Sequence, residues 1–264
     1  MPFRAWLLSA LCLAMATAWT RAEPTGAGAP SEQTLAHVLA QAADAEARWD
    51  LTQALAMYRR ADELQPNTAF ILQKIARQLS DSVAEAKTRE ERRQLAEEAL
   101  DYSLRAQARA PEDPVCTLSV AISYGKLALT ADASHRIKYA GLVREHAERA
   151  LQLKPDYDWA HHVLGRWHYE LAQVGGPTRA LARLFYSAVP AGTCAEGIDH
   201  LTRAVALAPE NPSHRIELGL ARIACGRRED GLAEIRLGLS LPSREKHDES
   251  AKARARAALQ RLGT

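Results

Sequence analysis

The chain has 264 residues, enough for one large domain or two small ones with a real core. Its 34 basic and 32 acidic residues are interspersed and leave a formal charge of +2, which excludes a nucleic-acid binder working by bulk electrostatics. Alanine, leucine, arginine and glutamate dominate, aromatics are 6%, and no stretch alternates valine, isoleucine and threonine with period two; the expectation is all-helical.

Residues 1–22 read as a secretory signal peptide: Arg4, an apolar run from Ala5 to Trp19, then small residues with candidate cuts after Ala18 or Ala22. The apolar run is shorter than the roughly 20 residues that span a bilayer, so an uncleaved N-terminal anchor is the second reading. Cys12 follows Leu11, too bulky for the usual lipoprotein acylation site. Residues 23–32, rich in Gly, Pro and Ala, read as a disordered linker. The expected product is exported, periplasmic in a bacterium, with no membrane span once the signal is removed. Three cysteines then remain, Cys116, Cys194 and Cys225. An odd number without CxxC is neither a disulfide framework nor a zinc site, and small buried apolar roles are expected. One pair can be bridged in an oxidising compartment, but spacing does not say which.

From residue 33 to 264 the chain repeats. "YRRADELQP" to Pro66, "LRAQARAP" to Pro111, "ERALQLKP" to Pro155 and "TRAVALAP" to Pro209 each end an apolar helix, with an Arg-Ala pair at a constant distance before the proline. "IRLGLSLP" to Pro242 is a weaker copy. Proline stops each helix because it lacks an N–H and clashes with the preceding turn. Ala54, Tyr58 and Ala61 show the small–large–small order of a tetratricopeptide hairpin, and Leu164-Gly165 and Leu218-Gly219 supply its Leu-Gly pair, glycine allowing close approach. Proline-to-proline gaps are 45, 44, 54 and 33, against about 34 for a standard unit. The first two expansions lie around "SDSVAEAKTREERR" and "LTADASHRIKYAG", as longer helices or loops, and the third holds the apolar insert "QVGGPTRALARLFYSAVPAGTCAEG". The predicted fold is an all-α, tetratricopeptide-like right-handed solenoid of about five helix pairs. The insert lies in the fourth pair, and a C-terminal capping helix has Ala257, Ala258, Leu259 and Leu262 as its apolar side.

The stretch "RIKYAGLVREHAERALQLKPDYDWAHHVLGRWHYELAQ" with "ALARLFYSAVPAGTCAEGIDHLTRAVALAP" resembles the regulator of microtubule dynamics family. The carrying residues are Lys138, Tyr139, Pro155 ahead of Trp159, the run Leu164-Gly165-Arg166-Trp167, Tyr169-Glu170, and Leu184-Phe185 in the insert. The resemblance is good over roughly residues 115–242 and looser before them. It implies a helical-repeat protein that is not an enzyme of a defined reaction, with relatives linked to microtubules and organelle contacts. An exported bacterial protein would meet no tubulin, so the fold is expected to carry over and the partner is not.

"HHVLGRWHYELA", residues 161–172, crowds three histidines onto one helix. Ala160, Leu164, Trp167 and Leu171 form a core stripe, and His161, Gly165 and His168 form a row toward the paired helix. His161 and His168 are about 10.5 Å apart along the axis, too far to share a metal, and no HExxH occurs. The third face, Trp159, His162, Arg166 and Tyr169, would line the concave groove. The same register adds Phe70, Gln73 and Arg77, then Leu118, Ile122 and Lys126, then Ile216, Leu220 and Ile223. An apolar floor with a few cations suits a protein or peptide partner, arginine holding a carboxylate. The plainer reading packs Trp159 and Tyr169 on the insert and gives Arg166 an internal ion pair. With no GxSxG and no GxxxxGK[ST], no catalytic residue, cofactor or metal is expected. The expected function is a non-catalytic protein–protein interaction scaffold. Its alternatives are a homo-oligomer assembling through residues 180–189 and a microtubule-associated regulator.

Overall fold

In a computed structural model describing residues 30–176 and 191–263, eleven helices and no strand occur among the described residues. They are α1 (Pro30–Ala47), α2 (Leu51–Leu64), α3 (Ala69–Ser82), α4 (Arg89–Arg109), α5 (Pro114–Ala128), α6 (Ala133–Leu153), α7 (Asp158–Ala172), α8 (Cys194–Leu207), α9 (Pro212–Ala224), α10 (Arg228–Ser240) and α11 (Lys246–Leu262). Consecutive helices pair as α1/α2, α3/α4, α5/α6, α7/α8 and α9/α10; the first helices of successive pairs meet, α3 with α5 and α7 with α9; and α11 packs on α9. This is the expected solenoid of five pairs and a cap. The signal-peptide region and the insert with Leu184 and Phe185 lie outside the described residues, while α1 starts at Pro30, inside the stretch read as linker.

The proline repeat has one geometry. Gln65, Ala110, Lys154 and Ala208, each just before its proline, have φ between −143 and −136° and ψ between 71 and 93°, because proline bars its predecessor from the helical region. Each gives its N–H to the carbonyl of the recurring alanine, Ala61, Ala106, Ala150 or Ala204, closing the helix end. All four alanines are fully buried, and the first three share clusters with Ile71, Cys116 and Ala160 of the next hairpin. A larger side chain there would hold neighbouring hairpins apart. At Pro242 the equivalent position is Leu237, 45% exposed, since only the cap follows.

The expanded units are long second helices: α4 and α6 have 21 residues each, against 14 in α2 and α8. In the last two pairs the helices touch backbone to backbone. A Cβ on Gly165 would lie 2.9 Å from Gly197 O, and one on Gly219 2.7 Å from Gly231 O, so each seam needs glycine on both sides.

Two expectations need correction. Cys194 and Cys225 are not separate buried thiols: they form a disulfide that ties the start of α8 to the end of α9, whereas Cys116 is buried and free. On α11, Ala258 is buried and Leu259 packs on the cluster of Ile216 and Ile235 as expected, but Ala257 is exposed, and Asp248, Ala251, Lys252 and Ala255 complete the buried side.

Candidate functional site

The faces of α7 meet different neighbours, although Trp167 of the core stripe and the half-buried Leu171 also line the concave side. Its core stripe holds Ala160, Leu164 and Trp167, all buried, and Trp167 Nε1 donates to Ala140 O of α6 at 2.7 Å. Its second row faces α8. His161 Nδ1 lies 2.9 Å from His200 Nδ1, Gly165 meets Gly197, and the His168 ring stacks on His200 with centroids 5.6 Å apart. These histidines are packing groups, each with neighbours from the paired helix.

The third face looks into the concave side. Trp159 is ringed by His162 of α7, His214 of α9 and His247 of α11, with centroids 5.0, 4.5 and 4.7 Å away. His162 Nδ1 lies 3.0 Å from His214 Nδ1, and His214 Nε2 lies 2.9 Å from Asp158 Oδ2. Burial, then the neighbouring His214, holds the His162 imidazole well below its ordinary pKa, so it stands neutral. Tyr169 donates its hydroxyl to Glu217 Oε1 at 2.5 Å. Glu217 is wholly buried and also takes Arg254 at 2.7 Å, with Arg166 at 3.9 Å. Burial pushes its carboxyl pKa up, but Arg166 and Arg254 outweigh this and leave it well below the carboxylate range. Arg166 bonds Glu170 Oε1 at 2.7 Å, so the internal ion pair of the plainer reading exists.

The capping helix shapes the rest. α11 runs over the concave side of α9, where its Ala251 and Ala255 share a cluster with Ile216, Leu220 and Ile223. Glu245 at its N-cap reaches across to Arg77 at 2.8 Å, and Lys246 bonds Glu85 at 2.5 Å. Between α3, α5, α7 and α11 a cavity of ≈ 1030 Å³ remains open. Arg77, Lys126, Trp159, His162 and Arg166 all line it. Phe70 does not; it stands 55% exposed, with Lys74 Nζ 5.8 Å from its ring centre. Tyr169 is not in the wall either and is buried against Glu217. The fifth-unit positions Ile216, Leu220 and Ile223 are taken up by the cluster that α9 shares with α10 and α11, Ile216 lying against Gly238 and Ile223 against Gly231 of α10.

Sequence reasoning missed Asp81, Glu217, Glu245, His247 and Arg254. Asp81 had a signal, sitting one helical turn beyond Arg77 on the same face. Glu217 had one too, as a lone acid in the apolar run "IELGLARIA". Among the described residues no group of His, Cys, Asp and Glu could hold a metal ion.

The profile of the family described as regulator of microtubule dynamics protein 1-3 matches residues 38–263. Regulator of microtubule dynamics protein 3 of Xenopus laevis is 30% identical over 138 residues, covering 52% of this chain and 30% of that protein. Regulator of microtubule dynamics protein 1 of Bos taurus is 27% identical over 160 residues, covering 60% of this chain and 49% of that protein. The chain therefore spans half or less of the length of these two relatives. Among solved structures, a thermophilic TPR protein of Thermus thermophilus superposes with a TM-score of 0.62 at 19% identity, over 86% of this chain and 99% of that one. That likeness supports the helical-repeat fold.

Proposed function

Because the chain belongs to the regulator of microtubule dynamics family, we propose that it is a scaffold whose concave cavity binds a peptide segment of a partner protein. Members of the family are non-catalytic helical-repeat proteins, and this chain is a helical interaction scaffold of that kind. The observation that supports the site is the open cavity itself, walled by apolar side chains of α5 and α7 together with charged groups. Arg166 positions the wall through Glu170 and Glu217 rather than standing free for a partner's carboxylate.

The test replaces Ile122, in the cavity wall, and Leu104, 41% exposed on α4 away from the cavity, each by tryptophan. Partner capture from the native compartment should be lost with Ile122→Trp and kept with Leu104→Trp at equal helicity. Equal capture by both variants would reject the site.

The reading includes export. The pattern of residues 1–22 and the Cys194–Cys225 bridge, a bond that persists in oxidising compartments, support it. N-terminal sequencing of the mature protein should start near residue 19 or 23; a start at Met1 in a reducing fraction would reject it. A microtubule partner is a second reading, carried by what the relatives are called. Co-sedimentation with polymerised tubulin tests it, and failure to pellet would remove it.

A further inference from the structure

Most charges around the cavity are answered from within the protein. Arg77 has Glu245 at 2.8 Å and Glu46 at 3.7 Å, Arg166 has Glu170 at 2.7 Å, and Arg254 has Glu217 at 2.7 Å. His247 Nε2 lies 3.2 Å from Glu245 but, buried, makes no hydrogen bond among the described residues. Arg136, exposed at the rim, donates to Ala131 O at 3.1 Å.

Two charges are different. Lys126 of α5 and Asp81 of α3 line the cavity, half-buried, and among the described residues neither side chain makes an ion pair or hydrogen bond. They feel each other without touching. Burial lowers the Lys126 ammonium pKa and Asp81 only partly restores it. Burial raises the Asp81 pKa, with His247, Lys126 and Arg77 only partly offsetting it. Each group is thus driven toward its neutral form for want of a partner. An unpartnered charge in a half-buried wall weakens the fold, and natural chains retain such groups mainly where function uses them.

The missing partner must offer an acceptor to the lysine and a donor to the aspartate at neighbouring points. An acidic segment would suit Lys126 but face Asp81, Glu170 and Glu245; a basic one would suit Asp81 but face Lys126, Arg166 and Arg254. A peptide group carries both functions and no charge. The wall beside the pair is apolar, with Val115, Leu118 and Ile122 of α5 and Val163 and Trp167 of α7.

Resting on the groove reading above, we infer that the cavity takes an uncharged, apolar peptide segment and reads its main chain. A peptide carbonyl accepts from Lys126 Nζ, a peptide N–H donates to the Asp81 carboxylate, and a flanking apolar side chain sits on Leu118 and Ile122. Specificity then lies in chain direction and apolar shape, and long-range charge attraction has little part.

The experiment pans a phage-displayed library of random linear peptides on the whole chain, with Ile122→Trp as the subtracting control. Enriched peptides should be uncharged and apolar at the centre, with a Kd nearly constant from about 50 to about 500 mM salt. N-methylation of one central amide should weaken binding about tenfold in the wild type and leave Asp81→Ala unaffected. Lys126→Met should bind about tenfold more weakly while its Tm holds or rises, because a lone charge has been removed. Acidic consensus peptides with steep salt dependence would overturn the inference. Binding unchanged in both variants, or no sensitive amide in a peptide that Ile122→Trp excludes, would overturn it and leave the groove reading standing. No peptide enriched over the Ile122→Trp control, or uptake of acyl chains from phosphatidylcholine vesicles in place of any peptide, would overturn both.

Discussion

The seam between paired helices and the concave face differ in what holds them, although single helices contribute to both. On α9, Gly219 presses backbone to backbone on Gly231, while two residues earlier Glu217 collects Tyr169 and Arg254 from the other direction. On α7, Gly165 and Arg166 divide the same way. In the last two pairs the seam is short-range packing with no room for one extra methyl. The concave face combines an apolar wall from α5 and α7 with charges brought together from α3, α5, α7, α9 and α11. Seams rest on close packing and the concave side on buried and part-buried ion pairs, and both hold the fold.

The largest expected effect is on the concave side. Glu217→Ala should destabilise by about 3 kcal/mol, the lower end for breaking a buried ion pair, because Arg166 and Arg254 are part-exposed and can rehydrate. Urea unfolding measures it, and a loss of a few tenths would show that the network holds nothing. Gly219→Ala should cost about 1–3 kcal/mol by overpacking, since its Cβ would fall 2.6 Å from Ile235 Cγ1 as well as against Gly231 O. A thermal shift of zero would mean that the seam can part freely.

Acid should weaken both regions. His162 on the concave side and His168 and His200 in the seam are held below the ordinary imidazole pKa, in each case first by burial. The unfolded chain then takes up protons at about pH 6.5 that the folded chain refuses, so stability is full above that pH and falls as pH drops below it. Asp158 and Glu217, held below the usual carboxylate range, add a further loss below about pH 4.5. Tm measured from pH 8 to pH 5 should decline below about 6.5, less so in His162→Gln; a flat profile would contradict the burial of these rings. The smallest effect is the control: Gly141→Ala in α6, where an added Cβ meets nothing within 4 Å, should stabilise by about 0.5–1 kcal/mol.

The seams were legible in the sequence because they recur. The Leu-Gly pairs mark where two paired backbones meet, and Ala61, Ala106, Ala150 and Ala204, at one distance from a proline, mark the ends of the hairpins, where the first three meet the next hairpin. The row of His161, Gly165 and His168 followed from helical period alone and does face α8. The concave side was only half legible. Register brought Arg77, Lys126, Trp159, His162 and Arg166 to one wall. Nothing periodic announces that α11 crosses that wall, that Glu245 answers Arg77 from far along the chain, or that Cys194 pairs with Cys225. Each is a single long-range meeting of side chains, decided by the path of the solenoid and not by any repeat within it. Phe70 and Tyr169 share the predicted register but lie outside the wall, one at the solvent side of α3 and the other turned to Glu217.

Site-specific photo-crosslinking tests the division between frame and binding face most directly. A photoreactive residue in place of Ile122 in the cavity, or of Leu104 on α4, is irradiated in cells that make the natural partner. A discrete crosslinked species from position 122 and none from position 104 is the predicted result. Crosslinks from position 104 alone would put the partner on the outer helices and contradict it.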